Sequence, residues 1–405
     1  MEISNDGAEY IKSLHSLILD LPPSCIDFSS SYPNHFVVGT YSLETESQET
    51  DHDESSEPTK IEQRRSGSLV LFKIEGDKIH QLQTIAHPSA VLDLQFSPHE
   101  KDLLVVAGSN GALSIYLLVH SKSIYLEECF ILDLFPTSAL ILSVRWHPKK
   151  AQSVGLTLST GEVQLHDVHP SGGPTPQVQN LSSHGLEAWT LAFSPDEKPA
   201  LGENTKDEES YRYIYSGGDD AAVLYSRTID SSHQAPTAQQ PLRKMHDAGV
   251  TALLPLPSFT PENAQILVTG SYDDHIRVID VLGRKVLSKK NLGGGVWRLK
   301  LMSHSTSIPT SSGQQSPTTF LVLASCMHAG VRVVEISYSP DSSTWSVAVL
   351  AKFEEHKSMN YASVFQPVGQ TEGEGPKCFT CVSTSFYDRL LCLWRFSKES
   401  EQTSQ

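Results

Sequence analysis

Short apolar runs alternate with small or polar corners along most of this chain. In "LVTGSYDDHIRVIDV" (267–281) a β-branched run gives way to a small-residue step, a polar corner and a second apolar run. "LVLASCMHAGVRVVEI" (321–336) has the same shape. Within "HIRVIDV", Ile276, Val278 and Val281 bracket polar positions, the spacing of a strand packed between neighbouring sheets. None of these runs approaches the ~20 apolar residues that cross a bilayer, so no membrane association is expected.

The unit recurs. Its instances open near "CIDFSSSYP", "VLDLQFSPHE", "ILSVRWHPKK", "AWTLAFSPD", "VTALLPLPS", "VWRLKLMSH" and "YASVFQPVG". They lie at roughly 50-residue spacing, and each supplies three strands and most a fourth. The last unit ends at Phe396 without a fourth strand, whereas an apolar segment at 10–20 precedes the first unit. Pairing the two would close a ring and leave no long open edge. The pattern resembles WD40 repeats and predicts one all-β domain over 1–405. Its expected architecture is a seven-bladed WD40-type β-propeller, closed by an N-terminal strand that completes the last blade. The signature dipeptide is degenerate, reading Ile279-Asp280, His166-Asp167 and Tyr225-Ser226. Insertions at 43–66, 197–210 and 303–319 are polar and are expected to be mobile loops, with 398–405 a disordered tail.

Charge narrows the partners. Lysine and arginine total 31 against 47 acidic residues, a formal charge of −16. That balance speaks against a nucleic-acid face and suits a cationic ligand. Six scattered cysteines without a leader or targeting peptide read as reduced thiols of a cytoplasmic protein. Cys378 and Cys381 have CxxC spacing, but an odd offset on a strand points them to opposite faces. No second pair exists to complete a metal site, so none is expected. A closed ring hides its own edges, which predicts a monomer.

Propeller geometry gathers distant loops on one rim. The corner between the second and third strands of a blade opens beside the link into the next blade. That rim receives "SSHGLEAW" (182–189), "GGDD" (217–220), "SYDD" (271–274), "GGGVW" (293–297), "CMH" (326–328), "EHKSMNY" (355–361) and "SFYD" (385–388). The corners of blades two and three are plain, "SNG" and "STG". Asp220, Asp273 and Asp388 are expected to hold their corners by accepting backbone amides. His184, His246 and His356 fall where blades carry an internally bonded histidine, so each has a structural reading beside a chemical one. Trp189 and Trp297 open inner strands, as walls of a site or as plugs of the channel. Gly293, Gly294 and Gly295 are either a bulged turn or unobstructed amide donors. His328 stands where the neighbouring corner has Asp273, and histidine is the side-chain type suited to proton transfer near neutral pH.

Six rim motifs occur in order: "H..EAW" (His184, Glu187, Ala188, Trp189), "YSGGDD" (215–220), "GSYDDH" (270–275), "GGGVWR" (293–298), "CMHAG" (326–330) and "SFYD..L.LW" (385–394). Together they resemble the WD40-repeat diphthine methyl-ester hydrolase family, also named diphthine methyltransferase, of diphthamide biosynthesis. The first three blades resemble it only in general pattern. The resemblance implies hydrolysis of a methyl ester on the over-methylated modified histidine of elongation factor 2. The products would be methanol and diphthine, which a separate enzyme amidates. No cofactor is implied.

Ester hydrolysis needs an activated nucleophile, donors for an oxyanion and a proton for the departing methoxide. His328 is the first candidate for general base, with Glu187 or Asp219 orienting its second nitrogen. Cys326 is a candidate nucleophile, and His184 and His356 complete the catalytic candidates. No GxSxG elbow is present. Gly293 to Gly295 are candidate oxyanion donors. The implied substrate carries a trimethylammonium group, which favours an aromatic cage. Trp189, Trp297, Tyr361 and Tyr387 are its candidate walls, and Asp388 is a candidate substrate contact. The competing reading is a non-catalytic scaffold that docks a protein through the same rim.

Overall fold

Seven antiparallel sheets stand around a central channel in the computed structural model, which describes residues 2–3, 7–44, 64–168, 178–195, 211–229, 237–238, 240–257, 265–305, 316–367 and 377–398. The insertions expected at 43–66, 197–210 and 303–319, and the tail from 398, lie largely outside those residues. Blade five is the simplest unit: β1 (Val250–Pro255), β2 (Ile266–Ser271), β3 (His275–Asp280) and β4 (Lys285–Asn291) pair in chain order. Its second strand is buried at every position because blades pack on both of its faces. The outer strand is mostly exposed and correspondingly lysine-rich.

The apolar clusters lie between blades, not within them. One joins Cys25, Val37 and Leu69 to Val91, Leu94 and Val106 across the seam of blades one and two. Another joins Val268, Ile276 and Val278 to Val296, Phe320 and Val322 across blades five and six. Small residues at the ends of the second strands allow this approach. A Cβ at Gly270 would lie 2.5 Å from Val296 Cγ1, and one at Gly217 would lie 2.7 Å from Val250 Cγ1.

Ring closure is divided between two blades. Residues His15–Ile18 pair antiparallel with Leu390–Leu393 and complete blade seven. Glu9–Ile11 instead runs parallel to the outer strand of blade six, Glu9 facing Ala351 and Ile11 facing Phe353. The single strand expected over 10–20 is thus corrected to two, with a break at residues 12–14. The reason is burial. Ile11 packs in the seam between blades six and seven, whereas Leu19 packs in the seam between seven and one. Leu19→Ala should therefore cost about 2–4 kcal/mol through lost burial and the cavity it leaves. A denaturant melt checks this, and an unchanged midpoint would show that the segment does not clamp the ring.

Inner strands run from the corner rim to a far mouth, and they carry a repeated irregularity. Register slips between Pro23 and Cys25, Ile141 and Ser143, Ala188 and Thr190, and Val250 and Ala252. Each slip is a β-bulge at the rim end of the strand, and such a bulge re-aims the extra side chain. In blade four that residue is Trp189.

Candidate functional site

The bulge places Trp189 among other rings. Its ring lies 5.6 Å from that of Trp297 and 6.1 Å from that of Tyr272. Trp297 is the hub, 5.8 Å from Tyr272 and 5.1 Å from Tyr361. Tyr361 meets Phe386 at 5.5 Å, and Phe386 meets Tyr41 at 5.9 Å. Six half-buried aromatics from blades four, five, six, seven and one therefore form a continuous belt around the rim. Trp189, Trp297 and Tyr361 were expected here. Tyr387 stays 69% exposed beside Phe386, at the outer margin of the belt.

Tyr272, Phe386 and Tyr41 were not singled out from sequence. Each directly follows the small polar residue that ends a second strand, namely Ser271, Ser385 and Thr40. Asp219 occupies the same corner position after Gly218. Its carboxylate accepts a 3.1 Å hydrogen bond from Trp189 Nε1, and its amide donates to the Glu187 carbonyl at 2.9 Å. Burial first, then Tyr361, Asp219 and Glu187, pushes the Tyr272 phenol above its ordinary range. The belt therefore has one acidic end, with both carboxylates close enough to Tyr272 for their charge to be felt there.

The corner of blade six supports itself. The Cys326 amide donates to the Gly330 carbonyl (2.7 Å), Ala329 to Cys326 (2.8 Å) and Gly330 to Met327 (3.1 Å). Met327 takes a left-handed φ of 41° and Gly330 one of 76°. Backbone bonds thus perform the task that Asp273 performs one blade earlier, where it accepts from the Asp247 and His275 amides and from Arg277. His328 is consequently exposed, and its ring makes no hydrogen bond among the described residues. No bond joins it to Glu187 or Asp219, so the orienting contact expected from either is absent from this conformation.

The triple glycine packs on that corner. A Cβ at Gly294 would overlap the Cys326 carbonyl and lie 2.9 Å from Ala329 Cβ. At Gly295 it would lie 2.7 Å from Met327 Sδ. Gly293 is left-handed (φ 89°), and its amide donates to Asn291 Oδ1 at 2.8 Å, which removes it as an oxyanion donor. The Gly294 and Gly295 amides have no acceptor among the described residues although both residues are buried.

Three other catalytic candidates are corrected by burial. His184 is enclosed, with Nδ1 2.9 Å from Asp220 Oδ1 and Nε2 2.9 Å from Ser216 Oγ. His356 is buried against Phe353, with Nε2 2.7 Å from Ser383 Oγ, which also accepts from Trp394 Nε1 at 3.0 Å. Both are blade fasteners with no nitrogen facing substrate, and His246 bonded to Thr269 is a third. Cys326 is fully buried, and desolvation pushes its thiol up to about 12, so no useful thiolate fraction forms. Asp388 accepts the Lys357 amide at 3.0 Å, and Asp220 the Gly185 amide at 3.2 Å, as corner-holding aspartates do.

Residues 239–280 match the WD domain, G-beta repeat family model. The chain is similar to diphthine methyltransferase of Schizosaccharomyces pombe, 30% identical over 93% of this chain and 95% of the relative. It is also similar to diphthine methyltransferase of Saccharomyces cerevisiae, 24% identical over 96% of this chain and 99% of the relative. A homolog from Dictyostelium discoideum is 27% identical over 70% of this chain and 76% of its own length. Among solved structures, a chain in the crystal structure of a mitotic checkpoint complex superposes with a TM-score of 0.60 at 15% identity, covering 98% of this chain and 96% of its own. That likeness carries the propeller fold alone. The relatives carry more: this chain belongs to the diphthine methyltransferase family.

Proposed function

We propose that this protein acts in diphthamide biosynthesis by hydrolysing the methyl ester of methylated diphthine on elongation factor 2. The observation that carries the reading is the belt of Trp189, Tyr272, Trp297 and Tyr361 with Asp219 and Glu187 at one end. Electron-rich ring faces attract a quaternary ammonium by about 2 kcal/mol when water is excluded, and flanking carboxylates add to that. A trimethylammonium held there presents its ester toward the neighbouring corner of blade six.

Hydrolysis then needs no covalent intermediate. His328 accepts a proton from water as the water oxygen attacks the ester carbon. The Gly294 and Gly295 amides donate to the oxyanion, each such bond being worth about 3 kcal/mol in the transition state. The imidazolium returns its proton to the departing methoxide, leaving methanol and the carboxylic acid, which loses its proton to water. His328 acts by proton transfer to water, so it does not require the orienting carboxylate of a triad.

Incubating the purified protein with methyl-esterified elongation factor 2 and measuring methanol tests the reading. Stoichiometric methanol supports it. Binding without methanol would make the rim a docking scaffold, and consumption of a methyl donor without methanol would make the protein a transferase. Trp297→Ala should raise KM for the trimethylated substrate at least about tenfold with a smaller change in kcat. An unchanged KM would show that the belt does not hold the cation.

A further inference from the structure

The far mouth holds a second site of opposite character. A cavity of about 710 Å³ lies among the inner strands, starting one residue below the aromatic belt at Arg298 and Ala362. Its charged lining is Asp27, Asp93, Arg145, Lys149, Arg298 and Lys300, four cations against two carboxylates. The whole chain carries −16, so this local excess of two positive charges runs against composition.

The carboxylates are already committed. Asp93 accepts from Ser143 Oγ (3.0 Å), the Val144 amide (3.1 Å), Arg145 Nη1 (2.7 Å) and Arg298 Nη2 (3.0 Å). Burial pushes its pKa up, but the two guanidiniums and the amide outweigh that and hold it at about 2. Asp27 accepts from Lys300 Nζ at 2.8 Å and from the Phe96 amide at 3.0 Å. Arg145 and Lys300 keep donors in reserve. Arg145 uses Nη1 for Asp93 and the Val144 carbonyl, while its Nε and Nη2 have no acceptor among the described residues. Lys300 has one acceptor, Asp27, for its three N–H groups among the described residues. A concave, partly enclosed wall of such donors focuses positive potential.

The rest of the lining is apolar, including Trp146, Leu191, Phe193 and Phe365. Its volume falls within the ~300–1,000 Å³ range of small-molecule pockets. We infer that the far-mouth cavity binds a small organic anion, a phosphomonoester or carboxylate on an apolar body, with Arg145 and Lys300 on its charged group. The site uses none of the side chains assigned to the ester chemistry at the corner rim.

Isothermal titration with phenyl phosphate and with benzoate tests the inference, using benzyl alcohol as the neutral control. Saturable binding of either anion is expected, and the tighter of the two identifies the head group. Arg145→Met should weaken it at least about tenfold, because a charge-assisted bond is lost while Arg298 still pairs Asp93. Arg145→Lys should recover part of the loss. A thermal melt of each variant reports folding, and Lys300→Met replaces Arg145→Met should the latter not fold. No saturable heat from either anion up to about 10 mM would overturn the proposal. So would equal affinity in the wild type and in the folded variant, or equal binding of the neutral control.

Discussion

His328→Ala is expected to lower methanol release by about a hundredfold or more while leaving the melting temperature unchanged. Both halves follow from the corner of blade six. Three backbone hydrogen bonds hold that turn, and the imidazole takes part in none of them. Its removal therefore leaves no buried group unsatisfied, and a surface substitution of this kind stays within about 0.5 kcal/mol. A structural histidine would behave in the opposite way. His356→Ala strips a partner from Ser383, the hydroxyl that also holds Trp394 inside the blade, and should destabilise the fold. Measuring turnover and stability on both variants separates the roles. Near-normal turnover by the His328 variant would remove this residue from the mechanism and leave the attacking water to another base.

Acid is expected to destabilise the protein well above the pH at which its carboxylates titrate. Burial lowers the pKa of His166, His246 and His356 to about 4 in the fold, with Arg277 adding to the effect at His246. In each, Nδ1 is buried without a partner, so there is no acceptor for a second proton. In the unfolded chain these imidazoles protonate near 6.5. The unfolded state thus binds more protons between those values, and stability falls as pH falls. Their contribution is full above about 6.5 and is lost as pH drops through about 4. Each histidine contributes a slope of about 1.4 kcal/mol per pH unit in that window, so three give about 4. Between pH 6.5 and 5 that removes about 6 kcal/mol, a large part of the typical total of about 5–15 kcal/mol. His35, His87 and His184 are shifted in the same direction and steepen the loss. Thermal melts from pH 7.5 to 4.5 should show the decline, and His246→Gln should reduce its slope. A flat midpoint down to pH 5 would contradict it.

These fasteners also show where sequence reading reaches its range. Strand periodicity is a local property, so blade order and the rim loops could be read from single segments. Trp189, Trp297 and Tyr361 were visible because each aromatic stands at the mouth end of an inner strand. Tyr272 and Phe386 sit beside corner aspartates that drew the chemical reading to themselves. What enclosed His184 was Ser216 and Asp220 on another strand, a matter of register and burial rather than spacing. Least legible was the bond from Arg298 to Asp93, which joins blades six and two across the channel over 205 positions. Only ring closure brings them together.

The divided closure has a consequence for how the molecule comes into being. Residues 9–18 leave the ribosome about 340–380 positions ahead of their partners at 351–353 and 390–393. At about 5–20 residues per second, that early segment spends on the order of tens of seconds with no edge to join. Throughout that interval the nascent chain is an open crescent with two unpaired borders, the kind of surface that chaperones are built to shield.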